Sequence, residues 1–406
     1  MGSSNLQQGR GSAARVIPAP GMFGHPPALG YIVFTEVWER FSFYGMQALL
    51  VLYMTGHLLQ PNVVQHVTGF GRLRDGIEAL FGPLSTQALA AQVFGIYVGL
   101  IYLAPVLGGI VGDRISGRRL AVLSGALLMA AGHFLLAFDA SFLAALLALV
   151  LGCGLLKGNL IAQVGDLYAK DDDRRDSAFT LYFTAINVGA FVAPLVCGTL
   201  GEAYGWHYGF VAAGLGMLCA IGIYCTGLST LPPERPAQSR SSAVAIRGDW
   251  RVIASILIML SCTSFFWIPQ AQVWNTYPLW QRDFVDRGAF GMTIPVTWFQ
   301  ALDSLASICL APLVLFLWRA QGKRALEPSD LSKLVIGCGL YGLGFLTLSA
   351  GQVGAGTARV AVLWPVAFHF LCAAGYLYTA PIALAVVSRA APAGLHASAG
   401  VLCDDY

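Results

Sequence analysis

Ten apolar runs divide this sequence, near residues 28–57, 86–112, 119–139, 141–165, 177–200, 207–229, 250–274, 294–318, 332–351 and 359–388. Each is long enough to cross a hydrocarbon core of ~30 Å, which takes ~20 helical residues. Lipid offers no partner to a backbone amide, so only helices and closed barrels span it, and these runs lack the alternation of barrel strands. The expected fold class is an all-α, multi-pass membrane protein. Composition bears this out: 56% of the 406 residues are hydrophobic and 11% charged, against roughly a quarter charged in an ordinary soluble domain.

Six runs come first, then a polar stretch, "LPPERPAQSRSSAVAIRGDW" (231–250), then four more. Pro, Ser and Arg in such density read as a linker between two helical bundles. The short loop "GDRISGRR" (112–119) joins runs two and three, and "WRAQGKRALEPSD" (318–330) stands at the equivalent place between runs eight and nine. That placement suggests a repeated six-helix unit, as in transporters whose halves rock about a midplane site. The expected organisation is a disordered tail over 1–27, a six-helix N-terminal bundle over 28–230, a cytoplasmic linker over 231–250, an incomplete C-terminal bundle of about four helices over 251–390, and a truncated tail over 391–406. The first 27 residues are rich in Gly, Ser and Pro and lack the apolar core of a signal peptide.

Lys and Arg concentrate in loops on one side. With the N-terminus inside, seventeen of the twenty-four fall in cytoplasmic segments and five in outer loops, which fixes the orientation with the N-terminus cytoplasmic. The net charge of +3 reflects this bias and gives no reason to expect nucleic acid. The nine cysteines are scattered, with neither a disulfide framework nor a metal-ligand spacing. No nucleophile with a base partner stands out, so an enzyme is not expected, nor a cofactor. His57 and His133 read as span-end or packing residues, with His57 placed to modulate proton entry.

The two basic residues left over, Arg40 and Lys157, lie inside spans. Glu36, Glu39, Arg40, Tyr44 and Gln47 form one stripe at helical spacing. A charge at mid-membrane costs about 2.5–3.5 kcal/mol even on the lenient insertion scale, so such groups face water, a partner or each other. Glu36 and Arg40, at i and i+4, can pair locally. Lys157 has no acid within a turn of its own helix, and the stripe on the first span supplies one. The four groups are neutral while both acids are ionised. A proton on either glutamate leaves a charge of +1, which a substrate carboxylate restores to balance. The competing reading is a buried network that only locks two helices together.

These residues resemble a known family. "EVWER" (36–40) is similar to the ExxER motif of the proton-dependent oligopeptide transporters of the major facilitator superfamily, and "FSFYGMQALLVLYMTG" continues as that family does. "YLAPVLGGIVGDRISGRR" (102–119) resembles the superfamily's loop between spans two and three. "LYFTAINVGAFVAPLVCG" (181–198) resembles the family's FYxxINxG signature, with the aromatic pair reversed. "FFWIPQAQ" (265–272) and "WFQALDSLASICLAP" (298–312) resemble its spans seven and eight.

The resemblance implies the major facilitator superfamily fold and a proton-coupled symporter that imports di- and tripeptides by alternating access. Its partners would be small peptides, protons and the bilayer of the cell inner (plasma) membrane, with the protein a monomer. Glu36, Glu39 and Arg40 would couple the proton, and Arg40 with Lys157 would bind the peptide carboxylate. Tyr44, Tyr102 and Asn187 would contact the peptide. The chain departs from the family in its second half. Ala271 stands where the family usually has Glu, followed by Gln272, and Tyr376 stands where its amine-binding Glu normally lies. Asp303 occupies a position that is often Asn. The expected amine site is therefore Asp303 supported by Tyr376 and Gln272, the competing reading being Asp303 paired with a neighbouring helix off the path. Two other functions stay open: a transporter of another small organic anion or an exporter, and a non-transporting membrane fragment with a binding or regulatory role.

Overall fold

The structure is a computed structural model that describes residues 21, 24–169, 172–234, 254, 261, 264–289 and 291–390. Helix α1 spans Pro27–Tyr53 and widens into a π-helical turn over Met54–Leu58. Pro27 stands in its first turn, where a missing N–H and a fixed φ are best tolerated. The sequence leaves the next stretch as an outer loop. It instead carries a 12-residue helix, α2 (Phe70–Phe81), which buries Phe70 and Ile77. Its exposed side carries an Arg74–Glu78 pair at 2.9 Å. Twelve residues are too few to cross hydrocarbon but suffice for an amphipathic cap.

Helices α3 (Thr86–Val111), α4 (Arg118–Leu135), α5 (Phe142–Asp166), α6 (Arg174–Ala193) and α7 (Trp206–Gly227) complete the first set. After a helical segment at 264–272 come α8 (Tyr277–Phe284), α9 (Thr297–Lys323), α10 (Asp330–Ala355) and α11 (Leu363–Ala390). Seven of the described helices are long and apolar enough to cross a membrane. Helix α1, with 27 residues, matches them in length but carries Glu36, Glu39 and Arg40. The linker beyond residue 234, the tail 391–406, most of the tail 1–27 and most of the run 250–263 lie outside the described residues.

Helix α1 is the axle of the first bundle, flanked by α6 and α7, while α5 sits between α3 and α4. Small residues set these approaches. A Cβ on Gly152 would lie 2.7 Å from the Gly125 carbonyl oxygen, and one on Gly189 2.6 Å from that of Val37. Without hydrophobic drive between helices in lipid, such backbone contact is what holds them. In the second set α11 lies against both α10 and α9. A two-residue parallel bridge, Val285 with Val360 and Asp286 with Ala361, ties the loop after α8 to the loop before α11.

The two sets meet mainly through α9 against α6. Among the described residues, the polar contacts between them gather at one end of the helices. The Glu202 carboxylate accepts the N–H of Val296 and of Thr297, both at 2.9 Å, and the Thr297 hydroxyl at 2.8 Å. An anion at the N-terminus of α9 also meets the positive end of its dipole. Trp298 Nε1 donates to Thr199 Oγ1 at 2.7 Å, and Arg282 to Thr55 Oγ1 at 3.1 Å. The molecule is thus sealed at the end poor in Lys and Arg. At the opposite end Arg118 binds Asp113 at 2.9 Å and Asp166 at 2.5 Å. Arg119 there reaches the carbonyls of Leu231 and Pro232 at 2.8 and 2.7 Å.

Candidate functional site

Four ionisable residues lie deep in the first bundle. Glu36 and Glu39 are fully buried, Arg40 is 2% exposed and Lys157 is 8% exposed. Helical geometry brings the first three together, since Glu39 and Arg40 stand three and four residues after Glu36 on α1 and so flank it on one face. The guanidinium forks onto Glu39, with Nη2 donating to Oε1 at 2.7 Å and Nε donating to Oε2. Glu36 is held differently. Its Oε1 lies 3.3 Å from Arg40 Nε, the i,i+4 pairing expected from the sequence. That oxygen has no hydrogen-bond partner among the described residues, because the Nε hydrogen is aimed at Glu39. The other oxygen, Oε2, accepts the Tyr182 hydroxyl at 2.7 Å.

Gly189 makes this arrangement possible: a Cβ there would lie 2.7 Å from Arg40 Cβ, so only glycine lets α6 approach α1 closely enough for Tyr182 to reach Glu36. Arg40 also lies over the rings of Phe43 and Tyr44, 4.7 and 5.8 Å from their centroids, where the π faces attract a cation. Lys157 comes from α5 and lies within electrostatic reach of Glu36. Its ammonium is 5.4 Å from the Tyr102 ring centroid. The structure therefore brings Glu36, Glu39, Arg40, Tyr44, Lys157 and Tyr102 into one neighbourhood. Asn187, one helical turn from Phe183, donates to that residue's carbonyl at 3.1 Å.

The second half contributes a separate polar group. Gln270 Nε2 donates to Asp303 Oδ2 at 3.2 Å, and the Tyr341 hydroxyl donates to Gln270 Oε1. The other Asp303 oxygen lies 3.7 Å from Nδ1 of the fully buried His369. Gln272, one residue pair further along the segment, instead accepts the Thr276 hydroxyl at 2.8 Å. Tyr376 stacks edge-on against Trp267 at 6.2 Å, within electrostatic reach of both Asp303 and Tyr44. Tyr44 in turn meets Trp274 at 5.2 Å, so an aromatic boundary joins the two polar groups across the halves.

Sequence reasoning missed Tyr182 as the partner of Glu36, although its motif was legible. It also missed Gln270, Tyr341 and His369. Gln270 and Gln272 are two positions apart and equally polar, and only the helix phase distinguishes them. The signal for His369 was a histidine inside an apolar run.

Comparison with known proteins places these residues in context. A family model described as the POT family matches residues 119–247 and 237–401. The peptide transporter YePEPT of Yersinia enterocolitica is 31% identical, over 91% of this chain and 83% of its own length. The uncharacterized transporter YclF of Bacillus subtilis is 30% identical, over 95% of this chain and 86% of its own. Among solved structures, the peptide transporter POT in complex with sulfate superposes with a TM-score of 0.77 at 29% identity, covering 95% of this chain and 87% of that one. A mutant of a peptide transporter POT in complex with alafosfalin gives a TM-score of 0.78 at 30% identity, with the same coverage.

Proposed function

Because this chain belongs to the POT family, a family of transporters and not of enzymes, we propose that it is a proton-coupled symporter that imports small peptides across the cell inner membrane, its N-terminus cytoplasmic. The observation that carries the reading is the unequal hold on the two acids of α1. Arg40 grips Glu39 with two hydrogen bonds, whereas Glu36 Oε1 is held by nearby positive charge and accepts no hydrogen bond among the described residues. A proton can therefore settle on Glu36 without breaking the Arg40–Glu39 fork.

Once Glu36 is neutral, Arg40 and Lys157 outweigh Glu39 by one positive charge. In a buried site that imbalance is expensive, and the C-terminal carboxylate of a peptide removes it. Proton and peptide thus stabilise the same loaded state, and each favours the other by linkage. Tyr44, Tyr102 and Asn187 line the path for the peptide body. In the second half Asp303, oriented by Gln270 and with Tyr376 nearby, takes the amino group, and Gln272, which bonds Thr276 and not Asp303, contacts the peptide elsewhere on the path. Rocking of the N-terminal bundle (28–230) against the C-terminal bundle (251–390) opens the Glu202 seal on one side and closes the other. Loss of the proton from Glu36 to the cytosol re-pairs the cations and releases the peptide.

A second reading, transport of another small organic anion, draws support from the hold of Gln270 on one Asp303 oxygen and the nearness of His369 to the other, which leaves less room for an amine. Proteoliposomes decide between them. With an inward proton gradient the protein should accumulate labelled dialanine, and Lys157→Ala should lose this while keeping counterflow exchange. Gradient-driven accumulation by Lys157→Ala would sink the coupling scheme. Competition by amine-free carboxylates but not by dialanine would favour the second reading.

A further inference from the structure

We propose that the outer end of the first bundle holds a site for a divalent d-block cation such as Zn²⁺, bound by His57, Asp139 and His207. This site is independent of the peptide path. His57 lies in the π-helical turn after α1, Asp139 in the turn between α4 and α5, and His207 in the first turn of α7. The three are far apart in sequence, so no ligand spacing betrays them. One ligand atom from each lies within 4.8 Å of the others. His57 Nε2 is 3.0 Å from Asp139 Oδ2, and His207 Nε2 is 3.8 Å from Asp139 Oδ1. A tetrahedral zinc with bonds of about 2.0–2.2 Å holds its ligand atoms roughly 3.3–3.5 Å apart, so small side-chain adjustments close the triangle on an ion.

The hydrogen bonds around the cluster point the same way. His207 Nδ1 faces the Leu136 carbonyl at 3.4 Å, and a carbonyl there calls for a proton on Nδ1. The lone pair of Nε2 then faces a carboxylate oxygen 3.8 Å away, an arrangement that a second proton on the ring or a cation between the two satisfies. A histidine ligand whose second nitrogen is fixed by a backbone carbonyl, beside a carboxylate that is itself hydrogen-bonded, is the usual outer shell of a metal site. The Tyr53 hydroxyl supplies that second support, donating to Asp139 Oδ1 at 2.6 Å. Exposures of 34% for His57, 27% for Asp139 and 40% for His207 leave an entry route and room for water as fourth ligand. Gly205, at φ +125°, is the residue that can take this backbone turn and swing α7 so that His207 meets the end of α1. Two imidazoles and one carboxylate suit zinc and its neighbours rather than magnesium or calcium.

The test uses the full chain in detergent, free of any histidine tag and stripped by chelator. Titration with Co²⁺ should produce a ligand-field band that saturates at one equivalent, and Zn²⁺ should abolish it and raise the unfolding temperature. In the His57→Gln/His207→Gln variant, affinity for both ions should fall by at least about tenfold. Absence of a band in the unaltered protein, or a band unchanged in the variant, overturns the site. Should the variant not fold, histidine modification by diethylpyrocarbonate read by mass spectrometry decides on the unaltered chain. Zn²⁺ should protect His57 and His207, and equal rates with and without zinc overturn the proposal.

Discussion

The two halves differ in what they leave unmet, for the first keeps its charged set engaged while Gln47 Oε1, the Tyr97 hydroxyl and both ring nitrogens of His133 have no hydrogen-bond partner among the described residues. In the first, Glu36, Glu39, Arg40 and Tyr182 form an interlocked set in which nearly every polar atom is engaged. In the second, His369 has neither ring nitrogen in a hydrogen bond, and the side chains of Gln281 and Gln300 and the Tyr277 hydroxyl are likewise without hydrogen-bond partners among the described residues. Leaving such groups unmet costs about 1–3 kcal/mol each. The contrast is one of degree: the interlocked charges lie in the first half, while among the described residues the polar atoms that water or a ligand can satisfy are found in both halves and are more numerous in the second.

The comparison breaks first at Arg40. Arg40→Ala strands two buried carboxylates, and breaking a buried pair from one side costs about 3–5 kcal/mol. The variant should lose dialanine uptake and unfold at a clearly lower temperature; wild-type uptake would end the idea that charge is balanced in the first half. Next comes the seal. Glu202→Ala removes three hydrogen bonds to a charged acceptor, each worth about 1.5–3 kcal/mol. The outward-open population should rise at least about tenfold, since 1.4 kcal/mol suffices for that. Spin labels at the exposed positions Tyr204 and Leu363, one in each half, should report a longer distance in a cysteine-free background.

A finer test addresses the second half. Asp303→Asn should raise KM about tenfold for free-amine dipeptides, the equivalent of one lost charge-assisted contact of ~1.4 kcal/mol, and leave N-acetylated dipeptides unchanged. Equal effects on both would remove Asp303 from the amine site. The smallest effect is expected where charge is exposed. Arg174 forks onto Asp172 at 2.9 and 3.1 Å, and this hydrogen bonding holds the Asp172 carboxyl down to about 2. A depressed carboxyl adds stability above its ordinary range and loses it as pH falls through about 2. Solvent screens so exposed a pair, so Arg174→Gln should leave the unfolding temperature at pH 7 unchanged. Only the Asp172 titration should move, back up toward the ordinary carboxylate range.

Much of the fold was legible because lipid imposes a length rule. The runs that set α3, α5, α6, α7, α9, α10 and α11 are the seven helices long and apolar enough to span, each within a few residues of the expected limits. Helix α2 was not legible, since twelve residues of mixed polarity read equally as a loop. Within the site, the Glu36–Arg40 pair followed from i,i+4 spacing on one helix. Tyr182 reaching Glu36 did not, because it depends on how closely α6 approaches α1 at Gly189. The same holds for Gln270 rather than Gln272 as the amide facing Asp303, which turns on the rotation of one helical segment.

By itself the sequence determined which segments are long apolar helices, that Lys and Arg gather in alternate loops, and that Glu36, Glu39 and Arg40 fall within one arc of a helix. Those properties depend on length, hydrophobicity and spacing along one chain, which local geometry fixes. Tertiary structure alone decided which acid Arg40 grips, how Glu202 joins the two halves at the start of α9, and that His57, Asp139 and His207 converge. Each of these rests on side chains from different helices meeting within about 3–4 Å, and that distance is set by packing between helices, where a single glycine decides how near two backbones come.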